Sequence, residues 1–232
     1  MEDNLHELSE FTLQNPIFKS RMKGIARMEL AQCMALGITG PTLRATGLPW
    51  DLRKTNPYIG YENYEFDVPT ADTADCYGRF VIRLEEMNQS VRILKQVVKK
   101  LEDTQGQRHM VDDPHIAWPA ELAIGPDGQG NSHEHIKHIM GESMEALIHH
   151  FKVITEGFKV PAGEVYAAVE APKGEFAVYL VADGTNKPYR CKVRPTAFSH
   201  LQAMDFMSRG HMLADTTAIL GAMDIVFGEC DR

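Results

Sequence analysis

Asp224 stands at the head of the closing segment DIVFGECDR (residues 224–232), where a carboxylate is followed directly by Ile225, Val226 and Phe227. Chain ends are usually short and polar, so an apolar run this close to the last residue calls for something that holds it. Three apolar side chains can line a slot. A carboxylate kept against such a slot exchanges protons more readily near neutrality, because desolvation disfavours its charged form. The same residue would also serve as a helix cap or as the partner of an arginine, and the segment by itself leaves these open.

Two other groups of residues could do chemistry. The segment HEHIKHIM places His135, His138 and Glu142 on one side of a helical wheel, a spacing that can meet a divalent ion. It does not read as a zincin, since HExxH would need histidine where Lys137 stands. A solvated or partner-facing polar stripe is the simpler account of the pattern and needs no ligand. Arg44, Asp51, Arg53 and Lys54 fall in the second group. They are either a binding surface or ion pairs that stabilise a loop. No P-loop, GxGxxG or nucleophile triad is written in the chain.

These residues need elements to position them. The 232 residues, 44% hydrophobic and 24% charged, suffice for a sizeable core. A net charge of −8 argues against a nucleic-acid partner bound by phosphate neutralisation. Cys33, Cys76, Cys191 and Cys230 never form CxxC, so no zinc or iron-sulfur ligand set is present and reduced thiols are expected. No apolar run is long enough to span a bilayer, and the acidic opening does not read as a signal peptide.

Apolar spacing predicts one or two short helices over residues 18–36, with Gly37 as the stop. Residues 38–73, broken by Pro41, Pro49, Pro57, Pro69 and several glycines, read as a long ordered loop of the kind that is more often functional than idle. The clearest helix covers residues 74–101, with Tyr77, Phe80, Val81, Leu84, Met87, Val91, Leu94, Val98 and Leu101 as its apolar positions. Asp75 with Arg79, and Arg83 with Glu86, read as surface pairs on it. A second long helix is expected over 132–156. EVYAAVE, EFAVYLVA and PYRCKVR, separated by turn residues, predict a three-stranded antiparallel meander. Helical patterns at 198–207 and 212–223 precede a strand-like tail. The fold class is therefore α+β. Long helices form a bundle beside a small antiparallel sheet, in four stretches: short helices and loop (1–73), helix bundle (74–160), sheet (161–195), and C-terminal helices with tail (196–232).

Four segments, GITGPTLRATGLPWDLRKTNPY, DCYGRFVIRLEEMNQS, EAPKGEFAVYLVADGTNKPYRCKVRPTAFSHL and DIVFGECDR, occur in the order found in the D-subunit family of bacterial NADH-quinone oxidoreductases. Those proteins are the counterparts of the 49 kDa subunit of respiratory complex I, and the chain resembles them over nearly its whole length. The family is related to the large subunit of nickel-iron hydrogenases, which implies a hydrogenase-like fold. That subunit ends in a DPCxxCxxH metal motif. Here Asp224 takes the aspartate place, Val226 and Glu229 the cysteine places and Arg232 the histidine place, with Cys230 beside a ligand position. Without the thiolates no nickel-iron centre is expected.

The resemblance implies instead a quinone-reduction cavity, shared with a neighbouring subunit that carries the terminal iron-sulfur cluster. Asp224, Val226 and Phe227 would approach it. Quinone, ubiquinone or menaquinone, is then the substrate, and no metal, flavin or iron-sulfur cluster is expected on this chain. Its partners would be the other subunits, including the membrane subunit at the quinone entrance. Its place would be peripheral, on the cytoplasmic face of the bacterial membrane. Family members begin well upstream, and the histidine and tyrosine that hold the quinone headgroup belong to that upstream half. The chain is thus expected to be part of a longer polypeptide and inactive alone. Arg44, Asp51 and Arg53 are candidates for subunit contact or for coupling to proton pumping. A scaffold subunit without a cavity is the competing reading.

Overall fold

The computed structural model describes residues 2–106, 137–138, 141, 144–157 and 159–231. It forms two compact units: Met1–Lys100, Val165–Leu180 and Cys191–Arg232 make the first, and Leu101–Glu164 with Val181–Arg190 the second.

The first unit opens with α1 (Glu2–Leu13), a helix the acidic opening did not suggest, and α2 (Pro16–Met22). Asn15 caps α2, its Oδ1 accepting the amides of Ile17 and Phe18 at 2.9 and 3.3 Å, and Pro16 occupies the first turn where its missing N–H costs nothing. Helix α3 (Leu30–Leu36) ends at Gly37, whose φ of 65° closes it in the left-handed region. The 38–73 segment is an ordered loop, as its prolines and glycines suggest, carrying only α4 (Pro41–Arg44), α5 (Leu52–Thr55) and a 3-10 turn at Tyr61–Asn63.

Helix α6 (Cys76–Asp103) runs 28 residues, the longest among the described residues. Its buried face differs from the expected stripe: Arg79 and Ile82 are buried with Leu84 and Val91, whereas Leu94, Val98 and Leu101 are exposed. The two surface pairs expected on α6 also do not form. Asp75 caps the helix instead, accepting the amides of Gly78 at 2.8 Å and Gly24 at 2.7 Å. Arg79 lies inside, where its Nη2 donates to the carbonyls of Ala26 (2.7 Å) and Ala74 (3.1 Å). Both alanines hold positive φ, 52° and 54°, so one buried guanidinium clamps two strained turns.

Strands β1 (Gly163–Ala171), β2 (Gly174–Ala182) and β3 (Arg190–Arg194) form the expected three-stranded sheet in sequential order. The turn between β1 and β2 lies against the start of the 38–73 loop. A Cβ on Gly40 would stand 2.3 Å from the Lys173 carbonyl, and one on Gly174 would stand 2.6 Å from Thr39 Oγ1. Only paired glycines allow this approach.

Helices α8 (Thr196–Ser208) and α9 (Leu213–Met223), and α10 (Phe227–Cys230), complete the unit; α7 (Met144–Thr155) belongs to the second. Met28, Cys33, Ile38, Ala203, Met207, Ile219 and Met223 belong to one core in which α3, α8 and α9 meet. The tail is not strand-like. Asp224 turns left-handed at φ 55°, ψ 52° to end α9, and α10 follows. β-branched residues at 225 and 226 suggest a strand, but a left-handed residue before them and the capping role of Glu229 decide otherwise. Glu229 Oε2 accepts the Ala197 amide at 3.2 Å and the Thr196 hydroxyl at 3.4 Å. Its charge thereby supports the N-terminus of α8, and the tail is held.

In the second unit, α7 (Met144–Thr155) represents the helix expected over 132–156. Asn186 donates to the Glu156 carbonyl, and Asp183 Oδ1 accepts the Thr185 amide and hydroxyl at 3.1 and 2.7 Å, forming an Asx turn. His135 and Glu142 lie outside the described residues. Among those described, no helix is long and apolar enough to cross a membrane, and no group of three His, Cys, Asp or Glu side chains could hold a metal ion. All four cysteines are unbridged thiols.

Candidate functional site

A cavity of about 440 Å³ opens within the first unit, and residues far apart in sequence build its wall. Arg44 comes from α4, Arg53 from α5, Arg83 and Glu86 from α6, Glu170 from β1, and Asp224 from the end of α9. Three of the residues proposed from the sequence, Arg44, Arg53 and Asp224, therefore meet at one place.

Arg44 is the centre of the arrangement. Helix α4 is anchored by the Gly40 contact with the β1–β2 turn, which points the Arg44 side chain inward; only 2% of it is exposed. Its Nε donates to Glu86 Oε1 at 2.6 Å, and its Nη1 to Glu170 Oε1 at 2.8 Å and to the Trp50 carbonyl at 2.9 Å. Glu170 is 3% exposed and its second oxygen accepts the Leu52 amide at 3.2 Å. The Tyr58 hydroxyl accepts the Glu170 amide at 2.9 Å, so the strand end is fixed as well.

Burial opposes the charge on Arg44, yet Glu86 and Glu170 together hold its guanidinium above the ordinary range. Burial raises both carboxyls, with Arg44 pulling each the other way. Two acids compete for one cation, and neither gains enough from it to offset the loss of water.

Asp51 and Arg53 form a separate pair. Asp51 is buried and caps α5, accepting the Arg53 amide at 2.9 Å, while Arg53 Nε and Nη2 grip its carboxylate at 3.0 and 2.6 Å. Burial raises Asp51, but the Arg53 hydrogen bonds outweigh it and the carboxyl lies below its usual range. The Arg53 guanidinium also covers the Phe66 ring at 4.8 Å. Of the two readings of these loop charges, ion pairing describes Asp51, while Arg44 and Arg53 both pair and face the cavity.

Arg83 sits one helical turn before Glu86. Its Nη1 donates to the Arg79 carbonyl at 3.3 Å, and its buried Nη2 has no hydrogen-bond partner among the described residues. Burial lowers its pKa, and Asp224 opposes that effect. The Asp224 side chain is 49% exposed, with Lys173 Nζ at 3.8 Å from Oδ1. It is a wall residue, not a buried one. Val226 and Phe227 do not line this cavity; they stand exposed at the start of α10.

Sequence reasoning missed Glu170 and underrated Glu86. Glu170 reads as the polar end of an alternating strand, and Glu86 as a surface partner of Arg83. Their only early signal was that the stretch 44–54 holds three basic residues, Arg44, Arg53 and Lys54, against one acid, Asp51.

The family described as the respiratory-chain NADH dehydrogenase 49 Kd subunit matches residues 1–232. The chain is 64% identical to the NADH-quinone oxidoreductase D-subunit of Cutibacterium acnes over all 232 residues, which are 54% of that protein. It is 57% identical to the second D-subunit of Streptomyces coelicolor over its full length and 52% of the relative's. With the D-subunit of Mycolicibacterium vanbaalenii it shares 53% identity across 98% of the chain and 52% of the relative. The chain thus spans about half the length of the curated relatives it matches.

Proposed function

The chain belongs to the 49 kDa subunit family of respiratory-chain NADH dehydrogenase, and from that premise we propose that it works within a proton-translocating NADH-quinone oxidoreductase, forming part of the quinone-reduction cavity. The observation that carries this reading is the meeting of Asp224 with Arg44, Arg53, Glu86 and Glu170 around one opening. Quinone reduction takes up two protons with two electrons, and a wall of paired acids and guanidiniums supplies groups that hold protons and stabilise developing negative charge. The upstream half of the subunit and the neighbour carrying the terminal iron-sulfur cluster complete the site. Flavin and clusters reside on other subunits, so electrons arrive from the neighbour and the substrate is ubiquinone or menaquinone. The assembly sits peripherally on the cytoplasmic face of the membrane, against the membrane subunit at the quinone entrance.

The 38–73 segment is the candidate for coupling. Arg53 and Asp51 bind one another, Arg53 faces the cavity, and a change of charge there would alter how α5 sits. Charge-neutral substitutions at both positions that leave pumping intact in the full complex would remove this role.

A scaffold subunit is favoured by one observation: Asp224 ends α9 through its backbone and is half exposed, while Val226 and Phe227 face away from the described cavity. Replacing Asp224 by Asn in the complete subunit separates the two. With a cavity role, NADH-driven quinone turnover falls or its pH profile shifts while assembly survives; unchanged turnover, together with no labelling of the cavity by a photoreactive quinone, leaves the scaffold.

A further inference from the structure

We propose that Glu86 is the proton-exchanging residue of the cavity, giving its proton to the molecule bound there and leaving a carboxylate held between Arg44 and Arg83.

Arg44 binds two carboxylates, Glu86 at 2.6 Å and Glu170 at 2.8 Å, so with both ionised the buried triad carries one surplus negative charge. The cations around it are committed. Arg53 is gripped by Asp51 from α5, and Lys173 of the β1–β2 turn faces Asp224 at 3.8 Å. From α6 itself comes Arg83, whose Nη2 is buried without a hydrogen-bond partner among the described residues. Two states can therefore neutralise the triad: a proton on one acid, or a closer approach of Arg83. Tyr61, the remaining titratable group on the wall, comes from the 3-10 turn and supplies no cation.

Access decides which acid takes the proton. Both oxygens of Glu170 accept hydrogen bonds, one from Arg44 and one from the Leu52 amide, and its side chain is 3% exposed. Glu170 also lines the cavity, but with both oxygens engaged it presents little of its carboxyl to the opening. Glu86 is held by Arg44 at Oε1, is 15% exposed and lines the cavity. Burial raises both carboxyls alike, so it is the larger exposure of Glu86 and its second oxygen, not engaged as that of Glu170 is, that distinguish the two. On the reading of the cavity as a quinone site, the Glu86 O–H bond breaks and an O–H bond forms at a quinone oxygen. The electrons come from a one-electron iron-sulfur carrier of the neighbouring subunit. Arg83 then balances the new carboxylate, which makes donation reversible.

The test uses the assembled complex carrying E86Q in the complete subunit. NADH-driven reduction of a short-chain quinone is followed across pH, with ferricyanide as an acceptor that reports electron input upstream of the site. E86Q is expected to lower quinone turnover at least about tenfold, the lower end of what a positioned proton donor contributes, to lose the decline of activity on the alkaline side, and to leave ferricyanide reduction unchanged. E86D is expected to keep the alkaline decline with a displaced midpoint. Wild-type turnover and an unchanged pH profile in E86Q overturn the proposal. Should E86Q fail to assemble, infrared difference spectra of the wild-type and E86D complexes on a pH step decide it: a protonated-carboxyl band near neutrality that moves in E86D supports Glu86, and its absence in the wild type overturns it. A band that moves in E86D, with no photoreactive quinone captured in the cavity, upholds the proton site and sinks the quinone reading instead.

Discussion

Near its start α6 takes hold of the 38–73 segment through Glu86 and Arg44, in a cluster where Arg44 and Glu170 are 2 and 3% exposed. Farther along the same helix the same segment is held again, now in water. Arg92 pairs with Asp67 at 2.8 Å with side chains 44 and 79% exposed, Gln89 accepts the Asp67 amide at 3.0 Å, and Gln96 both accepts from and donates to Glu65. Both ends are rich in polar contacts, yet they do different work. Exposed pairs gain little because water competes for each partner. Buried ones make the loop, the helix and the strand end interdependent, since removing Arg44 leaves two carboxylates without their cation.

The largest effect expected is at the buried end. R44A leaves Glu86 and Glu170 without their cation and should lower stability by about 3–5 kcal/mol, read from the denaturant midpoint at constant m-value. A loss below about 1 kcal/mol, the range of an exposed pair, would erase the distinction between the two ends. Next comes G40A, just before α4. A residue with a Cβ at φ 75°, ψ −151° costs about 1–3 kcal/mol in backbone strain alone, and the Lys173 carbonyl allows it no space. Thermal unfolding of G40A beside G60A, at the edge of the 3-10 turn where the nearest atom to an added Cβ is a side chain 3.6 Å away, isolates the close approach.

The third test is pH. Glu86 and Glu170 are raised by burial, so the folded state binds more protons than the unfolded one between the ordinary glutamate value and the raised one. Stability from these groups is fully present below the ordinary value and is lost as pH rises through the raised value. Asp51, held low by Arg53, acts oppositely: its contribution is lost as pH falls through its lowered value. E86Q should flatten the upper slope without touching the lower, as seen in unfolding free energy against pH. The smallest effect belongs to the wet end, where R92A should cost about 0.2–1 kcal/mol and less in high salt.

The sequence made some of this visible. α6, the sheet and the ordered loop follow from periodicity and from prolines and glycines, which are local properties. Arg79 shows where local reasoning fails. A charged residue on an amphipathic helix is assigned to water by default, but the carbonyls of Ala26 and Ala74 offer it more than water does, and those carbonyls come from other segments. Glu170 fails for the same reason, because its burial depends on Arg44, 126 positions away in the chain. The closing segment draws attention to Asp224, yet its position on a half-open wall is a matter of how α9 ends. Val226 and Phe227 join it through the family resemblance, and after the left-handed turn at 224 they stand exposed, off the wall of the described cavity.

That turn also governs what a mutational scan would report. At φ 55° only glycine, asparagine and aspartate sit without appreciable strain. Intolerance at position 224 therefore has two sources, a backbone that rejects most side chains and a carboxylate with a task of its own. Asparagine keeps the backbone and deletes the charge; glycine keeps the backbone and deletes the whole side chain; alanine confounds the two. An alanine scan would report a loss of about 1–2 kcal/mol here in a protein where the carboxylate did nothing at all.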